Sequence, residues 1–270
     1  MSAGLDLAER LLKNKESEIY NKEYPVIMYD KILDIDTEVR GEASVIDVTL
    51  NRQVANLDCG LVVQFTNAEI QPAYEALQAR ALEGAYEECQ HSINNQMLFG
   101  TKDIGGDKTG LYNDSRVDKS LTGIDLDALS ATGAQAIATV FDKADKLIRV
   151  NSKGLYRMEQ IVVPDIARLA TTLVGNLVGN QVLSLYKFLE KSFKDITILE
   201  DPKLLTAGAS GKDRIVVMSR KKKAVEGVLP SPPVFGQPVV NVRGIAIPID
   251  YKCVGTVIWD SSGMVYMDLA

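Results

Sequence analysis

The chain has 270 residues, 46% of them hydrophobic and 24% charged, with a net charge of −6 at pH 7. That length buries a core in one large domain or two lobes without disulfide or metal staples. The acidic balance excludes a surface that grips nucleic acid all over. The three cysteines, Cys59, Cys89 and Cys253, make neither a disulfide framework nor a CxxC site, and His91 is the only histidine, which excludes metal sites needing two imidazoles. No apolar run approaches the roughly 18 residues of a membrane span, and MSAGLDLAERLLK has no basic-then-apolar leader, so a cytosolic chain is expected.

Residues 1–38 read as an extended arm. Ser2 can cap a short amphipathic helix with Leu5, Ala8, Leu11 and Leu12 on one side, and the polar KNKESEIYNKEYP after it has too little apolar surface to pack alone. In residues 39–66, VIDVTLN alternates Ile46, Val48 and Leu50 with Asp47, Thr49 and Asn51, the two-residue period of a half-exposed strand. LVVQF (residues 61–65) is a second β-rich run, and RQVANLDCG between them reads as a turn-rich connector. The pair predicts a long hairpin, marginal by itself in water, that finds partners elsewhere.

From Asn67 to Gly100 the apolar positions Ile70, Tyr74, Leu77, Ala81, Ala85, Cys89, Ile93 and Met97 recur every three or four residues, which predicts one helix roughly 45 Å long. Asn67 can cap it, Pro72 is tolerated in its first turns, and Gly100 can stop it in a left-handed conformation. Residues 100–123 read as irregular. The spacing Gly100–Gly105 imitates a phosphate-binding loop, but Gly106 stands where its lysine must be, and no strand precedes it.

Beyond Asp125, helix and strand alternate. A helix is expected over IDLDALSATGAQAIATVFDKADKLI, strands over MEQIVVP, DITILE and DRIVVMS, and helices over DIARLATTLV and QVLSLYKFLEKSF. Arg220, Lys221, Lys222 and Lys223 form the one basic run; it reads as a solvated turn or, alternatively, as a phosphate or DNA contact. The last stretch, residues 239–270, is β-rich with Ser261-Ser262-Gly263 as a turn, and the long helix is the obvious face for its strands. Carboxylates are scattered as on solvated faces and GxSxG is missing, so neither an enzyme nor a cofactor is expected.

The order of these parts resembles the Hong Kong 97-type major capsid proteins of tailed bacteriophages, in the branch related to encapsulin shells. QMLFGTKDIGGDKTGLYND (Gln96–Asp114) is similar to that branch's helix end and glycine-rich turn, and ITILEDPKLLTAGASGKDRIVVMS (Ile196–Ser219) to its strand–loop–strand pattern. The resemblance covers nearly the whole chain and implies an α+β Hong Kong 97-like capsid fold. Its parts would be an N-terminal arm (1–38), an extended hairpin (39–66), a spine helix and peripheral lobe (67–123), an axial α/β lobe (124–238) and a β-rich return to the peripheral lobe (239–270).

It also implies a head shell of pentamers and hexamers around double-stranded DNA that is contacted weakly, with portal, scaffolding or decoration proteins as partners and no membrane. The alternative is an encapsulin-like compartment enclosing an enzyme. Inter-subunit contacts are expected at Ile46, Val48, Leu50, Leu5 and Leu12, buried on neighbours. The founding member closes its shell with lysine–asparagine isopeptide bonds. That chemistry needs a hairpin lysine, and between Gly41 and Asn67 this chain has only Arg52, which cannot lose its proton to become a nucleophile.

Overall fold

A computed structural model describes residues 2–24, 27–37, 45–47, 52–54, 57–66, 69, 75–100, 108–124, 131–171, 173–174, 183–193, 195–241 and 244–269. In chain order these form α1 (Ser2–Tyr20), α2 (Tyr29–Ile32), β1 (Ile35–Asp36), β2 (Val45–Asp47), β3 (Arg52–Val54), β4 (Leu57–Thr66), α3 (Glu75–Phe99) and β5 (Asp118–Ile124). Then come α4 (Ala131–Asn151), β6 (Gln160–Val163), α5 (Ile166–Thr171), β7 (Leu173–Val174), β8 (Leu183–Ser184), α6 (Leu185–Ser192) and β9 (Thr197–Glu200). The last are β10 (Arg214–Met218), β11 (Val225–Val228), β12 (Ser231–Phe235), β13 (Val239–Asn241), β14 (Gly244–Cys253), β15 (Gly255–Ile258) and β16 (Met264–Leu269). The chain divides into a first unit, Met1–Asp30 with Ile35–Leu98 and Gly227–Gly255, and a second, Lys31–Asp34 with Phe99–Glu226 and Thr256–Ala270.

In the first unit β14 is the central strand. It pairs antiparallel with β4 along its whole length, from Gly244↔Thr66 to Cys253↔Leu57, while β13 and β12 share its other edge. Side chains alternate as a half-buried strand requires: Ile245, Ile247, Ile249, Tyr251 and Cys253 point inward, and Asp250 and Lys252 outward. The long helix α3 covers the inner face, as the sequence suggests. Tyr251 donates its hydroxyl proton to Ser92 Oγ at 2.8 Å, and Gln96 Nε2 reaches the Tyr251 hydroxyl at 3.3 Å.

The buried stripe of α3 differs from the predicted one in its first half. It runs Gln78, Leu82, Tyr86, Cys89, Ile93 and Met97, whereas Leu77 is 55% exposed and Ala81 lies outside. The two stripes are one residue apart, and the one with the larger Leu82 and Tyr86 wins because it removes more apolar area from water than alanines do. The predicted helix start, Asn67 with Ile70 to Tyr74, lies outside the described residues. Its stop is as expected: Gly100 has φ +87, and a Cβ there would collide with the Lys108 carbonyl oxygen.

The N-terminal segment is built into this unit. Ala8, Leu11, Leu12 and Ile19 of α1 are buried, as are Tyr24, Ile27 and Met28 beyond it. Tyr20 stacks on Phe235 and tilts against Tyr86, with ring centroids 5.7 and 5.3 Å apart, and its hydroxyl accepts the Phe235 N–H at 3.0 Å. Burial foremost pushes the Tyr20 phenol up to about 12. Lys22 pairs with Glu83 of α3, and Asn94 Oδ1 accepts the N–H groups of Met28 and Tyr29, both at 3.0 Å. The apolar side of α1 thus lies on its own unit, through Tyr20 against Tyr86 of α3 and Phe235 of β12.

The hairpin also differs in pairing. β2 pairs with β3 (Val45↔Val54, Ile46↔Gln53, Asp47↔Arg52), so the predicted connector supplies a strand. The second predicted strand is part of β4, which pairs with β14 and not with β2, since ten consecutive β14 residues offer it a longer ladder. β12 contains Pro232 and Pro233 yet remains a strand. It lies at the sheet edge with a register shift between Ser231 and Val234, where missing N–H groups cost least.

The second unit is a five-stranded sheet in the order β5-β16-β10-β6-β9, parallel at both edges and antiparallel inside. β6, β10 and β16 are buried along their whole lengths, which explains the unbroken apolar runs IVV and IVVM. Ile161, Val163, Ile215, Val217, Val265 and Met267 pack with Phe141, Ala144 and Ile148 of α4 and Leu185 and Leu189 of α6. The stretch 239–270, expected as one piece, is shared: β14 completes the first unit's sheet, and β16 is an inner strand of the second's. β5 falls in the region read as irregular, where its polar DKSLTGI gives no apolar period and its parallel pairing to β16 supplies the order.

Candidate functional site

The face of the second sheet that α4 and α6 leave uncovered carries Arg214, Tyr266 and Asp268, and on it sits the turn Gly110–Asp114. Arg214, 4% exposed, grips Asp268 with two hydrogen bonds, Nε to Oδ1 at 2.6 Å and Nη2 to Oδ2 at 3.0 Å. Its Nη1 donates to the Tyr112 carbonyl at 2.6 Å, and its guanidinium lies 4.6 Å from the Tyr266 ring centroid. Tyr112 donates to Asp201 Oδ2 at 2.6 Å; Tyr266 donates to the Leu111 carbonyl and accepts the Asp114 N–H at 3.2 Å.

Asp114 is held by Arg116 Nε and Nη2 at 3.1 and 3.0 Å and by the Thr109 hydroxyl at 3.0 Å, and Arg116 also reaches the Ile258 carbonyl at 3.0 Å. Burial foremost, then the Asp201 carboxylate, drives the Tyr112 phenol well above its ordinary range, so it stays a donor. Burial by itself raises Asp268 and Asp114, but hydrogen bonds from Arg214 and the Ala209 N–H, and from Arg116, outweigh it and hold both carboxyls below the usual range. In this constellation Arg214, Arg116, Tyr112 and Tyr266 each donate to a fixed partner. Its chemistry is that of a clamp on the GLYND turn.

The expected site residues fall in different places. Leu12 is 8% exposed and packs inside the first unit, which corrects its assignment to a neighbour; Leu5 is half-buried. Ile46 lies on β2 opposite Gln53, while Val48 and Leu50 lie outside the described residues. Arg220, Lys221, Lys222 and Lys223 are all exposed in a turn after β10 that Ala224 N–H closes onto the Lys221 carbonyl at 2.8 Å. His91 Nε2 is 3.7 Å from Glu87 Oε1, and among the described residues no group of His, Cys, Asp and Glu could hold a metal.

The sequence reading misses two apolar surfaces. On the outer face of the first sheet Val62, Val234 and Val239 are 64%, 46% and 57% exposed, with Pro248 opposite Val62 and Ala246 opposite Val239. In the second unit a groove of about 370 Å³ between β5 and α4 is lined by Leu121, Leu147 and Val150 with Lys143 and Lys146 at its rim. Their signal in the sequence is weak, because single valines between polar residues read as ordinary half-exposed strand.

Among curated proteins no sequence matches this chain. The profile of the family described as Major capsid protein matches residues 44–269, from the hairpin to the last strand. The chain belongs to the major capsid protein family. Solved structures agree on the fold. The capsid of Myoviridae phage XM1 is similar at a TM-score of 0.70 and 16% identity, over 81% of this chain and 75% of that one. The capsid of a native GTA particle gives 0.60 at 10% identity over 93% and 92%. The SrpI encapsulin of Synechococcus elongatus PCC 7942 gives 0.55 at 9% identity over 92% and 89%.

This capsid protein therefore has the Hong Kong 97-like fold that the order of parts implied, and its role is structural. It is a capsid subunit that assembles with copies of itself, and its place is the virion capsid. The buried bonds of the clamp hold the GLYND turn in one geometry.

Proposed function

We propose that the chain forms the icosahedral head of a tailed bacteriophage, as pentamers and hexamers around double-stranded DNA, assembled in the host cytoplasm. Portal, scaffolding or decoration proteins are its further partners. Residues 39–66 would reach a neighbouring subunit, with Ile46, Val48 and Leu50 as contacts and Leu5 as a further one; residues 67–123 with the return 239–270 would act as the peripheral lobe, and residues 124–238 as the axial one. The observation that carries this reading is the β2–β3 pair, a two-stranded sheet with no third strand among the described residues. Such a hairpin is marginal alone and gains its stability by lying on something else. Many such contacts, each weak, sum through multivalency into a closed shell while staying reversible enough to correct errors.

Expressed alone or with a scaffold, the purified protein is expected to form closed particles, tubes or capsomer rings under negative-stain microscopy. A chain that stays monomeric or dimeric at every concentration and salt condition tried would sink the reading. A second prediction follows from the hairpin's lack of lysine: mature particles boiled in detergent and reductant should run as one band near 29.5 kDa. A ladder of covalent oligomers would show that another lysine performs the cross-link. An encapsulin-like compartment is the second reading. It is favoured by the likeness in fold to the SrpI encapsulin, which extends over 92% of this chain and 89% of that one at a TM-score of 0.55. Co-purification of DNA with the particles supports the first reading, and co-purification of a single enzyme the second.

A further inference from the structure

We infer that the second unit carries a binding patch for the phosphate backbone of double-stranded DNA, assembled from two turns that are far apart in sequence. The inference deepens the shell reading, in which the enclosed cargo is DNA. One turn follows α4 and contains Lys153 and Arg157; the other follows β10 and contains Arg220, Lys221, Lys222 and Lys223, and all six are exposed. The fold ties the turns together. Lys221 Nζ donates to the Leu155 carbonyl at 2.7 Å and lies 5.9 Å from the Tyr156 ring centroid, and the Tyr156 hydroxyl donates to the Lys223 carbonyl at 3.2 Å. Glu159 closes the junction by accepting from Ser219 Oγ at 2.8 Å and from the Arg220 N–H at 2.9 Å.

Lys221 is thereby fixed as the brace between the two turns, while Arg220, Lys222, Lys223 and Lys153 remain exposed on them. Arg157 is partly neutralised by Glu159, 3.3 Å away. Concentrating cations in this way runs against the chain's average charge of −6, and such a patch sets up a local positive field. A second observation points the same way. Lys153 ends α4 with φ +53, a left-handed conformation that glycine or asparagine adopts far more readily. A lysine stands there in spite of the backbone's preference, with Gly154 following at φ +84. Contacts from lysine and arginine to phosphate carry no base information, which suits a shell that encloses whatever sequence is packaged.

The test uses the full-length, unassembled chain and a fluorescent duplex of about 30 base pairs, with anisotropy followed from about 50 to 300 mM salt. Wild type should bind with a log K against log salt slope of about −3 or steeper. The triple variant Arg220→Gln, Lys222→Gln, Lys223→Gln should be shallower by about 2.7, at about 0.9 per lost phosphate contact, with an unchanged unfolding profile. Lys153→Asn should lower the slope by about 0.9 while leaving thermal stability equal or higher, a combination that a merely structural lysine would not give.

Absence of binding at the lowest salt, or a triple variant with the wild-type slope, would overturn the inference. So would loss of particles in the triple variant at an unchanged slope, which would make the patch a subunit contact. Normal wild-type particles with no DNA binding would remove this inference and leave the shell reading standing; DNA binding without particles of any kind would do the reverse.

Discussion

Arg214→Met should cost the subunit about 3–5 kcal/mol of folding stability, and the double change Arg214→Met with Asp268→Leu should cost clearly less than the sum of the two single changes. The side chains are 4% and 3% exposed, so removing Arg214 leaves the Asp268 carboxylate buried without its main counter-charge, whereas removing both removes the buried charges together. Arg214 also holds the Tyr112 carbonyl, so the single change should loosen the GLYND turn as well. Denaturant titration of unassembled subunits measures this, below the concentration at which association adds its own stability. Additive single effects would show that the pair is not coupled.

The same pair sets a pH dependence. Asp268 and Asp114 have folded pKa values held below the ordinary value of about 4, so their contribution is complete above that pH and is lost as pH falls through the lowered folded values. Stability should be flat from about pH 7 to 5 as far as these groups are concerned and should decline below about pH 4, with a shallower decline in Arg214→Met.

Removing residues 2–20 should abolish stable folding of the first unit, and Leu11→Ala alone should cost about 2–5 kcal/mol. Leu11 is 1% exposed, and α1 covers Tyr86 and Phe235 through Tyr20. The sequence reading expects the reverse order of effects, with assembly suffering more than the fold. Circular dichroism of the truncated chain beside its particle yield decides between them. A truncated chain with wild-type thermal unfolding that fails only to assemble would restore the arm to its neighbours.

How much of this was legible in the sequence depends on the distance over which each feature is specified. The α3 helix announces itself by its period and its Gly100 stop, and β6 and β10 by unbroken apolar runs, since both signals are local. The order of parts was enough to place the family. β5 stayed hidden because its order comes from β16, about 145 residues away. β12 stayed hidden because its prolines are tolerated only at an edge, and edges are a property of the assembled sheet. The clamp draws on Tyr112, Asp114, Asp201, Arg214 and Asp268, none of which is unusual in its own neighbourhood. The basic run at 220–223 was visible; that its turn is tied to the one after α4 was not, because the Lys221–Leu155 and Tyr156–Lys223 bonds join residues 66 and 67 apart.

The pairing of β4 with β14 has a consequence for synthesis. Leu57 to Thr66 leave the ribosome about 180 residues before the strand they pair with, a wait on the order of 10–40 s at typical elongation rates. During that time the inner face of β4 has no ladder and α3 has no sheet to cover, so the long-range pairing that completes the first unit is among the last events in folding. A nascent or truncated chain ending before Gly244 lacks the central strand altogether and cannot present the outer face that carries Val62 and Val239. Chain completion therefore acts as a checkpoint. Only chains that extend past β14 acquire that outer apolar face, so a chain that stops short lacks a surface the finished subunit presents.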